Sequence, residues 1–335
     1  MAQVKIGFLL PKEDVGRMVE FAQEADRLGY EIHCPEGGWS DPFTMLAAAA
    51  AATKKSRLYT HVTVIPYYHP WHLTRKTVTL DHLSNGRFTL LGGVGWRPPE
   101  FENLGVPYTQ RGKVMDEMLH IMTTLMDEGD INFEGRYFNI KGLVTKIEPC
   151  VQKPHVPIII GGGPRAMVEG RPQWPGTKMG DPEAALKRVA KYGDGWSAPS
   201  YNDVEHVTYG YNQCLKYAKE AGRQLPERFI TLCTGSVNIN FDEEAAARDV
   251  MAHDGPRTLA GDIYRSEGNP TMDARLGKVF SGAVGAPEKC VTMMGNLIEV
   301  PGLDQIVIHL HATDTFKQME LFDKHVKSQL PLDTV

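Results

Sequence analysis

The alternation of short apolar runs with longer segments of helical periodicity is the feature that most constrains the fold of this chain. Eight runs of strand length are predicted, at residues 4–10, 30–34, 58–65, 88–91, 156–160, 193–198, 229–239 and 305–310. Between them, apolar residues mostly recur every three or four positions, as they do on one face of a helix. Eight strands alternating with helices are what a closed (β/α)8 barrel requires, so we predict an α/β fold of that kind.

Capping residues mark the starts of several predicted helices. Asp14 precedes a helix that stops at Gly29, and the pairs Asp41-Pro42 and Asp181-Pro182 combine an N-cap with a first-turn proline. Residues 129–148 break the alternation with two strand-like pieces, 131–133 and 136–140, which are typical of a hairpin. We expect one barrel domain over residues 1–335, with excursions near 129–148, 164–180 and 255–285, and insertions at the carboxyl ends of the strands.

Composition excludes several classes of protein. The 335 residues are 42% hydrophobic and 23% charged with a net charge of -5, which suits a large core and argues against a nucleic-acid partner. No run approaches the roughly 20 apolar residues of a membrane helix, and the first residues lack a signal-peptide pattern. The five cysteines form no CxxC pair, so we expect a cytoplasmic protein without a zinc site.

Motifs for nucleotide phosphates and for hydrolysis do not occur in the sequence. No GxGxxG follows the first strand, which disfavours an open doubly wound sheet that binds a dinucleotide, and there is no Walker A sequence. There is also no GxSxG elbow and no HExxH spacing. We therefore expect neither hydrolase chemistry nor a metal site.

The segment from Arg87 to Phe101 changes abruptly from a buried strand to flexible backbone. Gly93 and Gly95 remove side chains, so that a flat ligand can approach the backbone, while Trp96 offers an aromatic face and Glu100 a carboxylate. Because the carboxyl ends of parallel strands are where α/β proteins build sites, this segment predicts a ligand site. A tight turn with a core-capping tryptophan is the alternative interpretation.

Three consecutive glycines, Gly161, Gly162 and Gly163, follow the fifth predicted strand. Their backbone N–H groups suit a phosphate or a ribityl chain, especially beside a helix N-terminus. Residues 164–180 come next as an extra segment with basic and aromatic side chains. We expect this segment to supply phosphate contacts or a lid.

Several blocks of the sequence resemble the bacterial luciferase-like oxidoreductases. They cover residues 79–88, 93–101, 104–108, 111–112, 133–138, 157–163, 193–196 and 302–307, and they span nearly the whole chain in the family's order. The family includes flavin monooxygenases and F420-dependent dehydrogenases and reductases. The resemblance implies a TIM barrel, commonly homodimeric, that binds reduced FMN or coenzyme F420 at the carboxyl ends of the strands.

The resemblance also implies which residues contact the cofactor. A non-proline cis peptide that presses on the ring is expected near Thr63 and Val64. The other implied contacts are Gly93, Gly95, Trp96, Gly161, Gly162 and Gly163. An acidic cofactor tail would favour a basic groove, for which the candidates are Lys54, Lys55, Arg57, Arg75 and Lys76.

The acid–base residue is less well defined. Glu36 matches an acid of the family at the end of the second strand, but Gly37 stands where relatives commonly have a histidine. His69 and His72 are candidates for proton transfer because histidine titrates near neutral pH, and Glu100 is a further candidate. Loop, helix-capping and surface ion-pair roles are the alternatives for these side chains.

The resulting hypothesis is a luciferase-like oxidoreductase that uses reduced FMN as a monooxygenase, or F420 for hydride transfer, on a small organic substrate. A flavin reductase or an F420-reducing partner would supply the reduced cofactor, and we expect a homodimer. Two alternatives stay open. One is a barrel that binds flavin without catalysis, and the other is a phosphate-binding TIM barrel of unrelated chemistry.

Overall fold

The computed structural model describes residues 4–11, 14–36, 40–142, 145–163, 181–199, 204–227, 229–254 and 282–330. The strands in these ranges are β1 Lys5–Leu9, β2 Glu31–Cys34, β3 Leu58–Thr60, β4 Thr63–Val64, β5 Phe88–Gly93, β6 Asn132–Glu134, β7 Asn139–Lys141, β8 Ile158–Gly161, β9 Gly195–Ser197, β10 Ile230–Ile239, β11 Gly282–Gly285 and β12 Gln305–Leu310. The helices are α1 Met18–Leu28, α2 Pro42–Ala52, α3 Pro70–Ser84, α4 Pro98–Asn103, α5 Arg111–Glu128, α6 Pro182–Tyr192, α7 Val204–Glu220, α8 Glu243–Asp254, α9 Pro287–Ile298 and α10 Thr315–His325.

The strands close into a parallel barrel, which confirms the predicted (β/α)8 class. Around the ring the order is β1, β2, β3 with β4, β5, β8, β9, β10 and β12, and β12 pairs with β1 to close it. The closing register places Lys5 opposite Gln305 and Phe8 opposite Ile308. Since every pairing in the ring is parallel, all carboxyl ends meet at one end of the barrel.

Two apolar layers hold the barrel together. Outward-facing strand residues pack under the helices in one large cluster that includes Phe8, Ile32 and Phe88. Inside the ring, a smaller plug consists of Tyr59, Leu91, Ile159, Ile230 and Leu232. Neighbouring strands supply the plug at matching register, with Leu91 opposite Ile159, as expected for a filled barrel interior.

The predicted caps are present where the sequence indicates them. Asp41 accepts a hydrogen bond from the Thr44 N–H, and Asp181 accepts one from the Glu183 N–H. Gly29 ends α1 at a positive φ of 79°, a conformation that favours glycine. These interactions fix the end of α1 and the starts of α2 and α6 where the sequence predicts them. Asp14 instead caps a 3-10 turn over Val15–Arg17, and α1 begins only at Met18.

The third predicted strand is where the prediction is wrong. Residues 58–65 were expected to form one strand, but β3 ends at Thr60, β4 covers only Thr63–Val64, and a 3-10 turn begins at Ile65. The peptide between His61 and Val62 is cis. The run is uniformly rich in strand-forming residues, so its pattern gave no indication of the interruption.

The other excursions agree with the prediction in part. β6 and β7 form the expected antiparallel hairpin, with Phe133 opposite Ile140. Helices α4 and α10, and strand β11, were not predicted; β11 lies in the glycine-rich stretch near 255–285 and pairs with the last residues of β10. The predicted insertion at 164–180 and residues 255–281 lie outside the described residues.

Two further features concern the classes considered above. Within the described ranges, no helix combines the length and the apolar character needed to cross a bilayer. The same residues contain no cluster of three or more His, Cys, Asp or Glu side chains arranged for a metal ion. All five cysteines are free and buried.

The candidate active site at the barrel mouth

The mouth is the end of the barrel where the carboxyl ends of the ring strands meet. Its floor is the apolar plug, and Val62 packs on the plug as a half-buried side chain. The residues that rise around it are half-buried as well: Glu36, His61, Val64, Gly161, Gly162, Gly163, Thr234, Ser236, His309 and His311. A partly exposed ring of polar and glycine residues above a dry floor is typical of a ligand site in this fold.

One side of the mouth is a wall of backbone without side chains, formed by Gly93, Gly161, Gly162 and Gly163; we call it the glycine wall. Gly93 follows the inward-facing Leu91 by two positions, and Gly161 likewise follows Ile159, so both face the interior. A β-carbon placed on Gly93 would lie 3.2 Å from Val62 Cγ1, and one on Gly161 no closer than 3.7 Å to any heavy atom. The wall therefore has open space in front of Gly161, whereas the Val62 side chain packs directly against Gly93.

Gly162 and Gly163 turn from β8 towards helix α6. Their φ values are 132° and 121°, and β-carbons there would lie 3.0 Å from Ala185 Cβ and 3.1 Å from Leu186 Cδ2. The indole of Trp196 donates from Nε1 to the Gly162 carbonyl at 2.6 Å. These contacts fix the glycines beside the first turns of α6.

Gly95 has a packing role that the sequence did not indicate. Its φ is 74°, and a β-carbon there would lie 2.5 Å from Val64 Cγ1 and 2.8 Å from Phe101 Cζ. The following Trp96 is 44% exposed, and the Arg97 guanidinium lies 4.9 Å from its ring centre. Gly95 thus lets the loop pass closely over β4 and α4, and Trp96 stands at its surface.

The cis peptide lies two residues before the predicted position. It joins His61 to Val62, whereas Thr63 and Val64 pair regularly with Gly92 and Gly93 in the ladder of β4 and β5. Paired residues on neighbouring strands face the same side, so Val64 lies on the inner side with Gly93, and the fully buried Thr63 on the outer side with Gly92.

Glu36 lies at the mouth with its carboxylate beside Val64. The Val64 N–H donates to Oε2, and the Tyr68 hydroxyl donates to Oε1 at 2.8 Å. Burial raises the pKa of Glu36 to about 7, although both hydrogen bonds favour the charged form and oppose the shift. A carboxyl with such a pKa can hold or release a proton near neutral pH.

His69 and His72 lie at the start of α3, where His69 has the helix-capping role considered as its alternative. The Nδ1 atom of His69 accepts a hydrogen bond from the Trp71 N–H at 3.3 Å. The ring of His72 lies 6.1 Å from that of His69 and 5.1 Å from Trp71. Burial, with a further contribution from His72, lowers the pKa of His69.

Glu100 lies on α4 in the loop after β5 and is bound by two neighbours. The Tyr67 hydroxyl donates to Oε2 at 2.6 Å, and Arg97 Nη1 donates to Oε1 at 2.9 Å. Its side chain is 41% exposed. The ion-pair role considered for Glu100 is therefore present, and the Tyr67 contact links it to the loop after β4.

The proposed basic groove is divided between different parts of the barrel. Lys54, Lys55 and Arg57 precede β3, so they lie at the amino end, opposite the mouth, where the Arg57 guanidinium donates to Gln152 Oε1 at 2.7 Å. Arg75 and Lys76 lie on α3 and contact the Trp71 and Phe43 rings. The five candidates for a basic groove therefore do not lie on one side of the barrel.

Asp194 is also at the amino end, where it has a structural role. It accepts a hydrogen bond from the Ile158 N–H at 3.0 Å and pairs with Arg223 at 3.4 Å. His155 Nε2 lies 3.3 Å from its second oxygen. Asp194 thus ties β8 to the turn before β9, remote from the mouth.

A line of polar side chains crosses the barrel and was not predicted from the sequence. The Nδ1 atoms of His33 and His61 are 3.2 Å apart, and His61 Nε2 lies 3.2 Å from Thr234 Oγ1. Above Thr234, Ser236 Oγ lies 3.1 Å from His311 Nε2. A histidine inside each of two predicted strands was the signal available for His33 and His61.

The first half of the chain identifies the family. Residues 3–170 match the family model described as luciferase-like monooxygenase. Together with the barrel and its glycine-walled mouth, this match shows that the chain belongs to the luciferase-like monooxygenase family.

Curated relatives match parts or most of the chain. An uncharacterized Mycobacterium tuberculosis protein is 31% identical over 166 residues, which are 49% of this chain and 52% of that one. The match thus spans about half the length of that relative. The pyrimidine monooxygenase RutA of Allorhizobium ampelinum is 23% identical over 315 residues, with 86% of this chain and 77% of that one covered.

Solved structures share the whole fold. An F420-dependent secondary alcohol dehydrogenase bound to an F420–acetone adduct has a TM-score of 0.75 at 16% identity, covering 98% of this chain and 99% of that one. The oxygenating constituent of 3,6-diketocamphane monooxygenase from Pseudomonas putida, in complex with FMN, has a TM-score of 0.72 at 18% identity, covering 99% and 100%. Proteins with this fold thus bind flavin-type cofactors of two kinds.

Proposed function

We propose that this protein is an oxidoreductase that holds a reduced flavin-type cofactor, reduced FMN or F420, across the barrel mouth and acts with it on a small organic substrate. The observation that carries the proposal is the glycine wall. Gly93 and Gly161 present backbone to the interior at neighbouring strand ends, beside Val62. Such a surface fits one face of a planar ring.

The residues present fit the rest of such a cofactor. The Gly162 N–H donates to the Ser197 carbonyl at 3.3 Å and is not free for a phosphate. A phosphate beside Gly163 would instead meet the N–H groups of the first turn of α6. Val62 and the plug beneath it exclude water from below the ring. When bound, the cofactor would supply the reducing equivalents of the reaction.

The protein's own groups would orient the reactants and exchange protons. Val62 and Gly161 would hold the ring plane, and Glu36 would hold or release a proton at its carboxyl, whose Oε2 accepts from the Val64 N–H. Because this carboxyl has a pKa of about 7, it can act in either direction near neutral pH. Membership of the family supports the oxidoreductase class of the proposal.

Partners and location are further parts of the proposal. A reduced cofactor has to come from another enzyme, so we propose a flavin reductase or an F420-reducing partner, and a homodimer as the working assembly. Five free, buried thiols support a reducing compartment, the cytoplasm.

The first test is a titration of the protein with FMN, reduced FMN and F420, followed by fluorescence. Exclusive F420 binding would assign hydride transfer, and preference for reduced FMN would assign monooxygenase chemistry. Binding of none of the three would refute the proposal. Binding without turnover in the presence of a reductase would favour the non-catalytic barrel.

Gly161→Ala provides the matched variant for this titration. Its new methyl group meets no heavy atom within 3.7 Å, so the chain should fold normally while the wall loses its flatness. We expect cofactor affinity to fall about tenfold, which corresponds to about 1.4 kcal/mol. Gly295→Ala, in open space on α9, is the control and should bind as the unmodified protein does.

A further inference from the structure

The imidazole of His61 occupies a special place at the mouth. Its backbone N–H donates to the Cys34 carbonyl at 2.7 Å, which fixes it to the end of β2, and its carbonyl belongs to the cis peptide that precedes Val62. The residue is half-buried, like Gly161, Gly162 and Gly163 of the glycine wall. His61 therefore combines a fixed backbone with a ring that borders the space above the plug.

Both nitrogens of this ring are engaged by side chains from other strands. Nδ1 lies 3.2 Å from Nδ1 of His33 on β2, and Nε2 lies 3.2 Å from Thr234 Oγ1 on β10. A hydrogen bond between two Nδ1 atoms needs one donor and one acceptor, so the two neutral imidazoles must have opposite protonation at Nδ1. The tautomer of His33 thus determines that of His61.

The surroundings of His33 hold its ring firmly. It has no exposed surface and stacks on Tyr59 with the ring centres 4.3 Å apart and the planes 3° apart. On its far side, a β-carbon on Gly7 would lie 2.9 Å from His33 Nε2 and 2.9 Å from Gln305 Nε2. The Gln305 amide is on the same side of the ring, but neither His33 Nε2 nor the two polar atoms of that amide make a hydrogen bond within the described residues.

Burial keeps both imidazoles neutral. It lowers the pKa of His61 to about 4 and that of His33 well below its usual range, with a further lowering of the His33 pKa by His61. The groups facing the pair are Tyr59 on β3, Thr234 on β10 and Gln305 on β12, none of them a carboxylate. A neutral imidazole that donates through Nδ1 presents Nε2 as a proton acceptor.

We propose that His61 is a second group, besides Glu36, that exchanges a proton with the ligand bound at the mouth, and that His33 is the positioning residue that sets its tautomer. This rests on the proposed function. In the transfer, the bond between hydrogen and an oxygen or nitrogen of the ligand breaks and a bond to His61 Nε2 forms, replacing the Thr234 contact. The His61 ring becomes an imidazolium and the ligand keeps the electron pair of the broken bond as an anion. No oxidation or reduction takes place, and the return of the proton restores the neutral ring.

The predicted histidines lack this combination of position and support. His69 caps α3 through Nδ1 and is exposed, and His72 is exposed beside it. His61 instead lies on the loop between β3 and β4, which borders Val62 and the glycine wall. Thr234 and His33 hold its ring from two opposite sides of the barrel.

The test is nitrogen-15 NMR of the histidine rings in the full-length protein, without ligand and with saturating FMN or F420, whichever binds. We expect His61 to carry its proton on Nδ1 and His33 to accept there, and the opposite arrangement would overturn the proposal. Adding the cofactor should shift the His61 ring signals more than those of His69. Signals of His61 that ignore the bound cofactor would overturn the assignment.

His33→Phe tests the positioning role, because phenylalanine keeps the stack on Tyr59 but has no Nδ1 atom. We expect the His61 proton to move from Nδ1 to Nε2, where Thr234 can accept it. Should this variant fail to fold, Thr234→Val removes the other partner and should shift the Nε2 signal alone. An unchanged His61 tautomer in His33→Phe would refute the coupling, and so would an unchanged Nε2 signal in Thr234→Val.

The outcomes separate this inference from the proposed function. If the unmodified protein binds no cofactor, the proposed function fails, and the ligand-free spectra still test the pair of histidines. If cofactor binds, His61→Gln should retain affinity within about threefold and lose turnover about 100-fold, the scale of acid–base catalysis. His69→Asn, which keeps an N-cap, is the control and should retain turnover.

Discussion

At the residue scale, Glu36 shows how burial adjusts one functional group. Its carboxyl is desolvated at the mouth, while Tyr68 and the Val64 N–H provide only partial compensation. The folded protein therefore binds a proton at Glu36 more readily than the unfolded chain does. When the pKa of an acid is higher in the folded protein than in the unfolded chain, the free energy of unfolding falls as the pH rises and the acid ionises.

Glu36→Gln tests this cost. Because the pKa of Glu36 is about 7 in the folded protein against 4.5 for the ordinary carboxyl, the free energy of unfolding should fall between pH 4.5 and pH 7 relative to the variant. The relative change should be on the order of 2 kcal/mol and then level off above pH 7. Urea unfolding from pH 4.5 to pH 8 measures it.

Tyr68→Phe sharpens the same measurement. Loss of the hydroxyl that donates to Glu36 Oε1 should raise the pKa further and extend the decline in stability above pH 7. Parallel pH profiles for the unmodified protein and Glu36→Gln would contradict the assigned desolvation.

Single residues also show what the sequence could predict. Gly161, Gly162 and Gly163 could be assigned to the mouth because a strand of known direction ends just before them. The pairing of His33 with Thr234 through His61 could not, because these side chains meet only when the barrel closes and brings β2 and β10 to opposite sides of one interior. Gly95 was placed correctly in its loop, but its contacts with Val64 and Phe101 depend on the unpredicted α4.

At the element scale, helix α7 lies against the barrel through a glycine. A β-carbon on Gly210 would overlap the Trp196 ring, whose indole has no exposed surface. The indole in turn holds the Gly162 carbonyl. The position of α7 is thereby linked to the glycine wall through one aromatic side chain.

Gly210→Ala should force α7 and Trp196 apart. We expect a loss of about 1–3 kcal/mol in the free energy of unfolding, because the core has no space for the added methyl group. Gly295→Ala, on α9 with no heavy atom within 4 Å of the new carbon, should instead gain about 0.5–1 kcal/mol. Chemical denaturation of both variants measures the contrast, and equal effects would contradict the close approach of α7.

Element boundaries followed the sequence where capping residues or glycines fixed them. Asp41 and Asp181 begin α2 and α6 as predicted, and Gly29 ends α1. The break between β3 and β4 could not be predicted, because the strand-forming residues Thr, Val and Ile occur on both sides of it. Strand β11 was hidden as well, since its Gly-Ala-Val-Gly sequence is a strand only through its pairing with β10.

At the scale of the whole molecule, the amino end of the barrel closes around an ionised junction. His155 lies between two carboxylates, with Nδ1 2.8 Å from Asp127 on α5 and Nε2 3.3 Å from Asp194 before β9. Asp194 also binds Arg223 and the start of β8. Burial would lower the pKa of His155, but the hydrogen bonds and charges of Asp194 and Asp127 outweigh it and raise the pKa.

His155→Gln should therefore destabilise the protein most at low pH. A histidine whose pKa is raised on folding contributes stability fully below its unfolded value, near 6.5, and loses it as the pH rises through the folded value. We expect a loss of about 1–2 kcal/mol at pH 6, the scale of a charged hydrogen bond, and a smaller loss at pH 9. A loss independent of pH, measured by urea unfolding, would argue against a protonated imidazole.

Two tryptophans, one bonded to the glycine wall and one in the loop after β5, differ sharply in their surroundings. Trp196, bonded to Gly162, is fully enclosed, whereas Trp96, which follows Gly95, is 44% exposed beneath Arg97. An enclosed indole emits at shorter wavelengths than a hydrated one, so the intrinsic fluorescence of the protein contains a dry and a wet component from the same region. Both lie in the region of the mouth, so an absorbing ring bound there would quench their emission by energy transfer. The tryptophan fluorescence of the protein thus reports on what enters the mouth.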